Sequence, residues 1–123
     1  MKRDMELVRM LLFAIEEKHI DVAIHNVKIE GFDLPTIAYH CKIMYEAGLI
    51  SDYKSNYGGN RIIGFGIGGL TWVGQDYLEL IRDDSRWELT MKKVEEAKLP
   101  KTIKFVAEVA GKFTGGIVSA MNE

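Results

Sequence analysis

The chain has 123 residues, 47% hydrophobic and 28% charged, enough apolar surface for the core of one domain with an ordinary soluble exterior. A net charge of -2 and a pI near 5.9 exclude a global positive field that would draw it to nucleic acid or anionic lipid, so any such binding needs a local patch. The single cysteine, Cys41, excludes an intrachain disulfide framework and fits a buried reduced thiol in the cytoplasm. The N-terminal apolar run Leu7 to Ile15 is interrupted by Arg9 and preceded by Asp4 and Glu6, which is wrong for a signal peptide. No stretch reaches the roughly 20 apolar residues needed to cross a bilayer, so no membrane association is expected.

Asp4 is a good N-cap for a first helix running to about Lys18, with Met5, Val8, Leu11, Leu12 and Ile15 on a broad apolar face. The β-branched residues between Ile20 and Ile29 predict an extended segment, a short helix being the competing reading, and Glu30-Gly31 the turn that follows. A second helix is expected from Leu34 to Ala47, capped by Asp33, with Pro35 in its first turn and Gly48 as its left-handed terminator. Leu34, Ile37, Ala38, Cys41, Met44 and Tyr45 make its apolar face, and Thr36, Tyr39, His40, Ile43 and Glu46 the opposite one. Leu49 to Tyr53 and Arg61 to Phe65 read as two strands joined by the tip Lys54 to Asn60.

Thr71 is the expected N-cap of a third helix that turns Tyr77, Leu78 and Ile81 inward and ends at Arg82-Asp83-Asp84. Ser85 and Glu88 have capping-box spacing and predict a fourth helix carrying Trp87, Met91 and Val94, stopped by Leu99-Pro100. The last helix is expected over about Lys101 to Thr114, broken by Gly115-Gly116. Its stripe of Ile103, Val106, Ala110 and Phe113 is a candidate homodimer face. The expected organisation is α+β: a winged-helix domain over residues 1-84 (helix, short strand, recognition helix, β-hairpin wing) and a C-terminal helical extension over 85-123 packed on the same domain.

Three stretches carry a resemblance to a known family. They are Met1 to Arg9; Glu30-Gly31-Phe32 through Ile37-Ala38-Tyr39-His40 to Glu46-Ala47-Gly48-Leu49-Ile50; and Leu70-Thr71-Trp72-Val73-Gly74 with Ile81-Arg82-Asp83-Asp84 and Trp87. As a set they resemble an uncharacterised family of small phage- and prophage-associated winged-helix proteins, domain-of-unknown-function family 2513. The resemblance implies a bacterial or phage origin and a winged-helix fold, and carries no activity to transfer. Two departures stand out: Gln75 replaces the histidine usual after the Leu-Thr-Trp motif's glycine, and the Gly64 to Gly69 run is richer in glycine than the family's wing.

A winged helix meets duplex DNA by laying its recognition helix in the major groove, with the wing reaching the backbone. Here the candidates are Thr36, Tyr39, His40, Lys42 and Ile43 on the helix, and Lys54, Tyr57 and Arg61 on the wing. Tyr39 and Ile43 cannot make bidentate contacts to guanine. The same exposed aromatic and aliphatic groups suit a protein partner, the alternative reading.

Gly64-Phe65-Gly66-Ile67-Gly68-Gly69 matches the dinucleotide-binding pattern formally but lacks the second parallel strand with its acidic residue, so a bend leaving the wing is the expected role. His25, His40 and Cys41 lack a fourth ligand at metal-site spacing. Asp76, Glu79, Asp83 and Asp84 read as solvated helix-end carboxylates without a nucleophile, and Trp72 and Trp87 as core residues. A non-enzymatic protein without cofactor or metal is the expectation, a regulator binding double-stranded DNA or, alternatively, a protein-interaction module.

Overall fold

The computed structural model describes residues 1–122, with side chains to Phe113. It is a mixed α+β chain with helices α1 (Met5–Lys18), α2 (Leu34–Glu46), α3 (Trp72–Ile81), α4 (Asp84–Glu96) and α5 (Ile103–Asn122), and strands β1 (Ile24–His25), β2 (Tyr53–Gly58) and β3 (Arg61–Ile67). The strands form one antiparallel sheet in the order β1-β3-β2. The chain falls into two compact units, Met1–Gln75 and Asp76–Glu123.

In the first unit the capping residues act as their chemistry dictates. Asp4 accepts from the backbone N–H of Glu6 at 2.9 Å and of Leu7 at 3.3 Å, satisfying donors that a first helical turn leaves open. Asp33 does the same for Thr36 N–H at 3.0 Å, and hydrogen bonding from the Thr36 side chain, then from its backbone, holds the Asp33 carboxyl below its ordinary pKa. At the far end of α2, Gly48 at φ +80° turns the chain left-handed, and Leu49 N–H donates back to Met44 O at 2.9 Å. The faces so fixed bury Leu7, Leu11, Leu12 and Ile15 of α1 and Ile37, Ala38, Cys41 and Met44 of α2.

The expected extended segment from Ile20 to Ile29 shrinks to the two residues of β1, leaving Ile20 and Val22 exposed while Val27 is buried. No helix takes its place. Asn26, at φ +48°, ends the strand and continues its ladder with a side chain: its N–H donates to Phe65 O at 2.8 Å, and Phe65 N–H donates to its Oδ1 at 2.8 Å.

The hairpin also departs from expectation. Its regular pairing runs from Tyr53↔Ile67 to Gly58↔Arg61, so Lys54 and Tyr57 lie in a strand and only Gly59-Asn60 make the turn. Gly59, at φ +64°, supplies the positive φ that a two-residue hairpin turn needs. A bulge between Asn56 and Tyr57 leaves Ile63 without a cross-strand partner. Below Tyr53 the pairing continues through Gly68 N–H to Asp52 O (3.0 Å) and Ser51 N–H to Gly69 O (2.9 Å).

The glycine run has a steric cause rather than a bend. None of Gly64, Gly66, Gly68 or Gly69 has positive φ; instead neighbours occupy the space of a side chain. A Cβ on Gly66 would lie 3.1 Å from the His25 ring, one on Gly68 2.1 Å from Ser51 Oγ, and one on Gly69 2.5 Å from the His19 ring.

Thr71 caps α3 as expected, accepting from Gly74 N–H at 3.0 Å while its hydroxyl donates to Gly48 O. Tyr77, Leu78 and Ile81 are buried, but Trp72 is 83% exposed, contrary to its expected core role, because it is the first residue of the helix and points off the buried face. In the second unit the cap of α4 is Asp83, which accepts from Arg86 N–H at 2.8 Å, not Ser85. Trp87, Thr90 and Val94 are buried and α4 packs against α5. Thr102 caps α5, which continues past Gly115-Gly116 to Asn122 instead of breaking there.

Candidate functional site

α2 turns by about 100° per residue, which sets which side chains share an edge. Ala38 and Lys42 fall on the edge toward the hairpin, Thr36 and His40 on the opposite edge, and Pro35, Tyr39 and Glu46 on the outward ridge between them. Along β2, alternation puts Tyr53, Ser55 and Tyr57 on the α2 side and Lys54 and Asn56 on the other.

Between helix and hairpin these edges enclose a groove of about 540 Å³. Leu34, Pro35, Ala38, Tyr53 and Ile62 give it apolar walls; Tyr39, Tyr57 and Asn60 add polar tips; Lys42 and Arg61 bring positive charge. Tyr53 stacks on Phe65 at 6.3 Å between ring centroids, and burial raises its phenol pKa, so it stays a neutral part of the wall. Tyr57 is 63% exposed and stands at the rim. A second, mainly apolar hollow of about 430 Å³ lies under residues 26–32, where Lys28 and Glu30 bring opposite charges and Phe32 an aromatic ring.

Of the eight residues expected to form one surface, the groove unites Tyr39, Lys42, Tyr57 and Arg61. Lys54 is exposed on the other face of the sheet, opposite Gly66. Thr36 and Ile43 are half-buried outside the groove.

His40 is not a surface residue at all: it is 1% exposed. Its Nε2 accepts from the backbone N–H of Asp4 at 2.8 Å, and its Nδ1 lies 2.8 Å from Thr36 O. An amide N–H can only donate, so Nε2 is the unprotonated nitrogen and Nδ1 carries the hydrogen given to Thr36. His40 therefore ties the start of α1 to the middle of α2, and the Tyr39 ring lies nearly perpendicular to it, ring centroids 5.6 Å apart. Leu34, Pro35, Ala38, Tyr53, Asn60 and Ile62 are the groove residues that sequence reasoning missed; placing Tyr53 to Gly58 in one strand puts both tyrosines on one face.

The candidate dimer stripe is also occupied within the chain. Val106 and Ala110 are fully buried and Ile103 and Phe113 half-buried, on a helix packed against α4. Among the described residues no three His, Cys, Asp or Glu side chains group to hold a metal ion, and no helix is long and apolar enough to cross a membrane.

Comparison with known proteins adds kinship without chemistry. The family model that matches, over residues 2–100, is described as "Hypothetical protein (DUF2513)". A relative from Haemophilus influenzae, described as an uncharacterized protein, is 30% identical over 113 residues, covering 89% of this chain and 92% of its own. No solved structure matches.

Proposed function

Because the chain belongs to the DUF2513 family, whose description names no activity, we propose its function from the groove itself: a non-enzymatic, winged-helix regulator that binds duplex DNA. The observation that carries this reading is the convergence of Tyr39 and Lys42 of α2 with Tyr57 and Arg61 of the hairpin on one groove. A helix laid in the major groove beside a hairpin that reaches the backbone presents such a pair of elements. The sheet order β1-β3-β2, with the hairpin next to α2, supports the winged-helix assignment. The sequence resemblance supports a phage or prophage setting. In the complex Lys42 and Arg61 neutralise phosphates, while Tyr39 offers a hydroxyl and an aromatic edge to the bases.

One observation favours a second reading. The groove walls are apolar, and exposed tyrosines over an apolar floor also fit a protein segment. The two are separated by fluorescence anisotropy of a labelled random-sequence duplex at 50 and 200 mM salt. Removing two phosphate contacts in Lys42→Ala/Arg61→Ala lowers the slope of log affinity against log salt by about 1.8. A wild type that binds no duplex at 50 mM sinks the DNA reading and leaves the protein segment as the groove's occupant.

A further inference from the structure

We propose that Lys2 and Arg3 form a second cationic flank of the same surface, contacting duplex phosphates across α2 from Lys42 and Arg61, with buried His40 as the residue that positions them. This rests on the DNA-binding reading above and extends it to residues on the opposite side of the helix.

The bond from Asp4 N–H to His40 Nε2 fixes the backbone of the residue next to Arg3 against the middle of α2, 36 residues along the chain. Lys2 and Arg3 are exposed where the chain leaves that anchor. His40 and Lys42 lie about 160° apart around the helix axis, as do His40 and Ala38, because two residues turn by about 200°. The basic N-terminal segment and the hairpin therefore flank α2 on opposite edges, and the outward ridge of Pro35, Tyr39 and Glu46 lies between them.

A helix with its side chains is about 10–12 Å across, and the major groove of B-DNA is about 12 Å wide. Cations on the two edges of one helix are thus spaced to meet the two phosphate backbones that border the groove. The anchor also supplies what the fold lacks: no helix precedes α2 between residues 19 and 33 to brace it, and the ring of His40 makes the brace from inside. Asp4 does not compete for this role through its side chain, which caps α1 while its backbone N–H serves His40. Glu46 stands at the C-terminal end of the ridge and Asp33 before its start, which confines phosphate approach to the two flanks.

The test compares duplex affinity from 50 to 200 mM salt for wild type, Lys2→Ala/Arg3→Ala, Lys42→Ala/Arg61→Ala, His40→Leu and His40→Gln, with circular dichroism confirming each fold. Lys2→Ala/Arg3→Ala should lower the salt slope by about 1.8, so that the wild-type advantage shrinks about 12-fold across that range. His40→Leu, which keeps both cations but cannot accept from Asp4, should lose part of the same advantage, and His40→Gln, whose amide offers both an acceptor and a donor, should restore it. Wild-type slope and affinity in Lys2→Ala/Arg3→Ala overturn the second flank, while a loss confined to Lys42→Ala/Arg61→Ala leaves the groove reading standing. If His40→Leu fails to fold, the Lys2 and Arg3 variant decides the matter alone. No duplex binding by the wild type at 50 mM removes both proposals.

Discussion

Gly74→Ala should destabilise the protein, reversing the usual sign of a helical glycine-to-alanine change. Gly74 is the third residue of α3, and in a helix interior alanine is ordinarily favoured by about 1 kcal/mol. Here a Cβ would stand 2.1 Å from the carbonyl oxygen of Leu49 and 3.0 Å from its carbonyl carbon. An unstrained carbon-to-oxygen contact is about 3.3 Å, so helix and loop must part by roughly 1 Å. The obstacle is backbone, which cannot swing away as a side chain can. Nor is that oxygen idle: Thr71 N–H donates to it at 3.0 Å, and the Thr71 hydroxyl joins Gly48 O to Gly74 N–H. Overpacking costs about 1–3 kcal/mol and a lost hydrogen bond about 0.5–1.5 kcal/mol. Set against the propensity gain, the net loss is about 2 kcal/mol, or roughly 8 °C in melting temperature for a chain of this size. Urea unfolding followed by circular dichroism measures it. Gly111→Ala in α5 is the internal control, since nothing lies within 4 Å of its Cβ position and the ordinary gain of about 1 kcal/mol is expected. A Gly74→Ala protein as stable as wild type would falsify the close approach of α3 to Leu49.

His40→Leu fills much of the imidazole's volume but leaves the Asp4 N–H without its acceptor and removes the donor to Thr36 O; the expected loss is about 2–4 kcal/mol, read from the urea midpoint. A change below about 0.5 kcal/mol, the size of a neutral surface substitution, would show that the ring does not tie α1 to α2. Burial pushes the Cys41 thiol up from 9.0 to about 12. The folded state then keeps a proton that the unfolded chain releases, so this contribution is intact below pH 9 and declines by about 1.4 kcal/mol per pH unit as pH rises toward 12. Wild type should lose stability between pH 9 and 10.5 more steeply than Cys41→Ala; parallel curves would show an accessible thiol.

The helices were legible where their determinants are local. Asp4 before α1, and Asp33 and Gly48 around α2, satisfy orphan backbone groups within a few residues of themselves, so composition and period reveal them. Half of the candidate site was legible on the same terms, since Lys42 and Tyr39 follow from the helical period and Tyr57 and Arg61 from the hairpin. What failed depends on distant parts of the chain. His40 sits at the border of the apolar face, and only the Asp4 N–H, 36 residues earlier, decides that it turns inward. The glycines of β3 record side chains of His25, Ser51 and His19 pressing on them, which no local pattern encodes. Lys54 to Asn60 read locally as a loop tip, but the two-residue turn Gly59-Asn60 extends β2 back through Lys54, and alternation then puts Lys54 on the face away from α2.

The inward turn of His40 also bears on the proposed DNA-binding reading, because it changes which side chains α2 would offer to a duplex. With that ring inside and donating to the Thr36 carbonyl, and with Ile43 half-buried, the outward ridge keeps Pro35, Tyr39 and Glu46, with Lys42 on the hairpin edge. None of Pro35, Tyr39 and Glu46 makes the forked contacts by which arginine reads guanine or asparagine reads adenine. Glu46 can accept from a cytosine amino group, but it repels the phosphates beside it. On the proposed DNA-binding reading, discrimination among bases through α2 would therefore be weak, and most of the affinity would come from cations on either side of the helix, which meet the shape and charge of the duplex rather than its sequence. An acidic protein that binds in this way depends on where its few cations stand, and the structure sets Lys42 and Arg61 on one edge of α2 and anchors the chain beside Arg3 on the other. Under that proposal, the same bond from Asp4 to His40 that takes the imidazole off the surface fixes the backbone beside Lys2 and Arg3, the two cations assigned to the second flank.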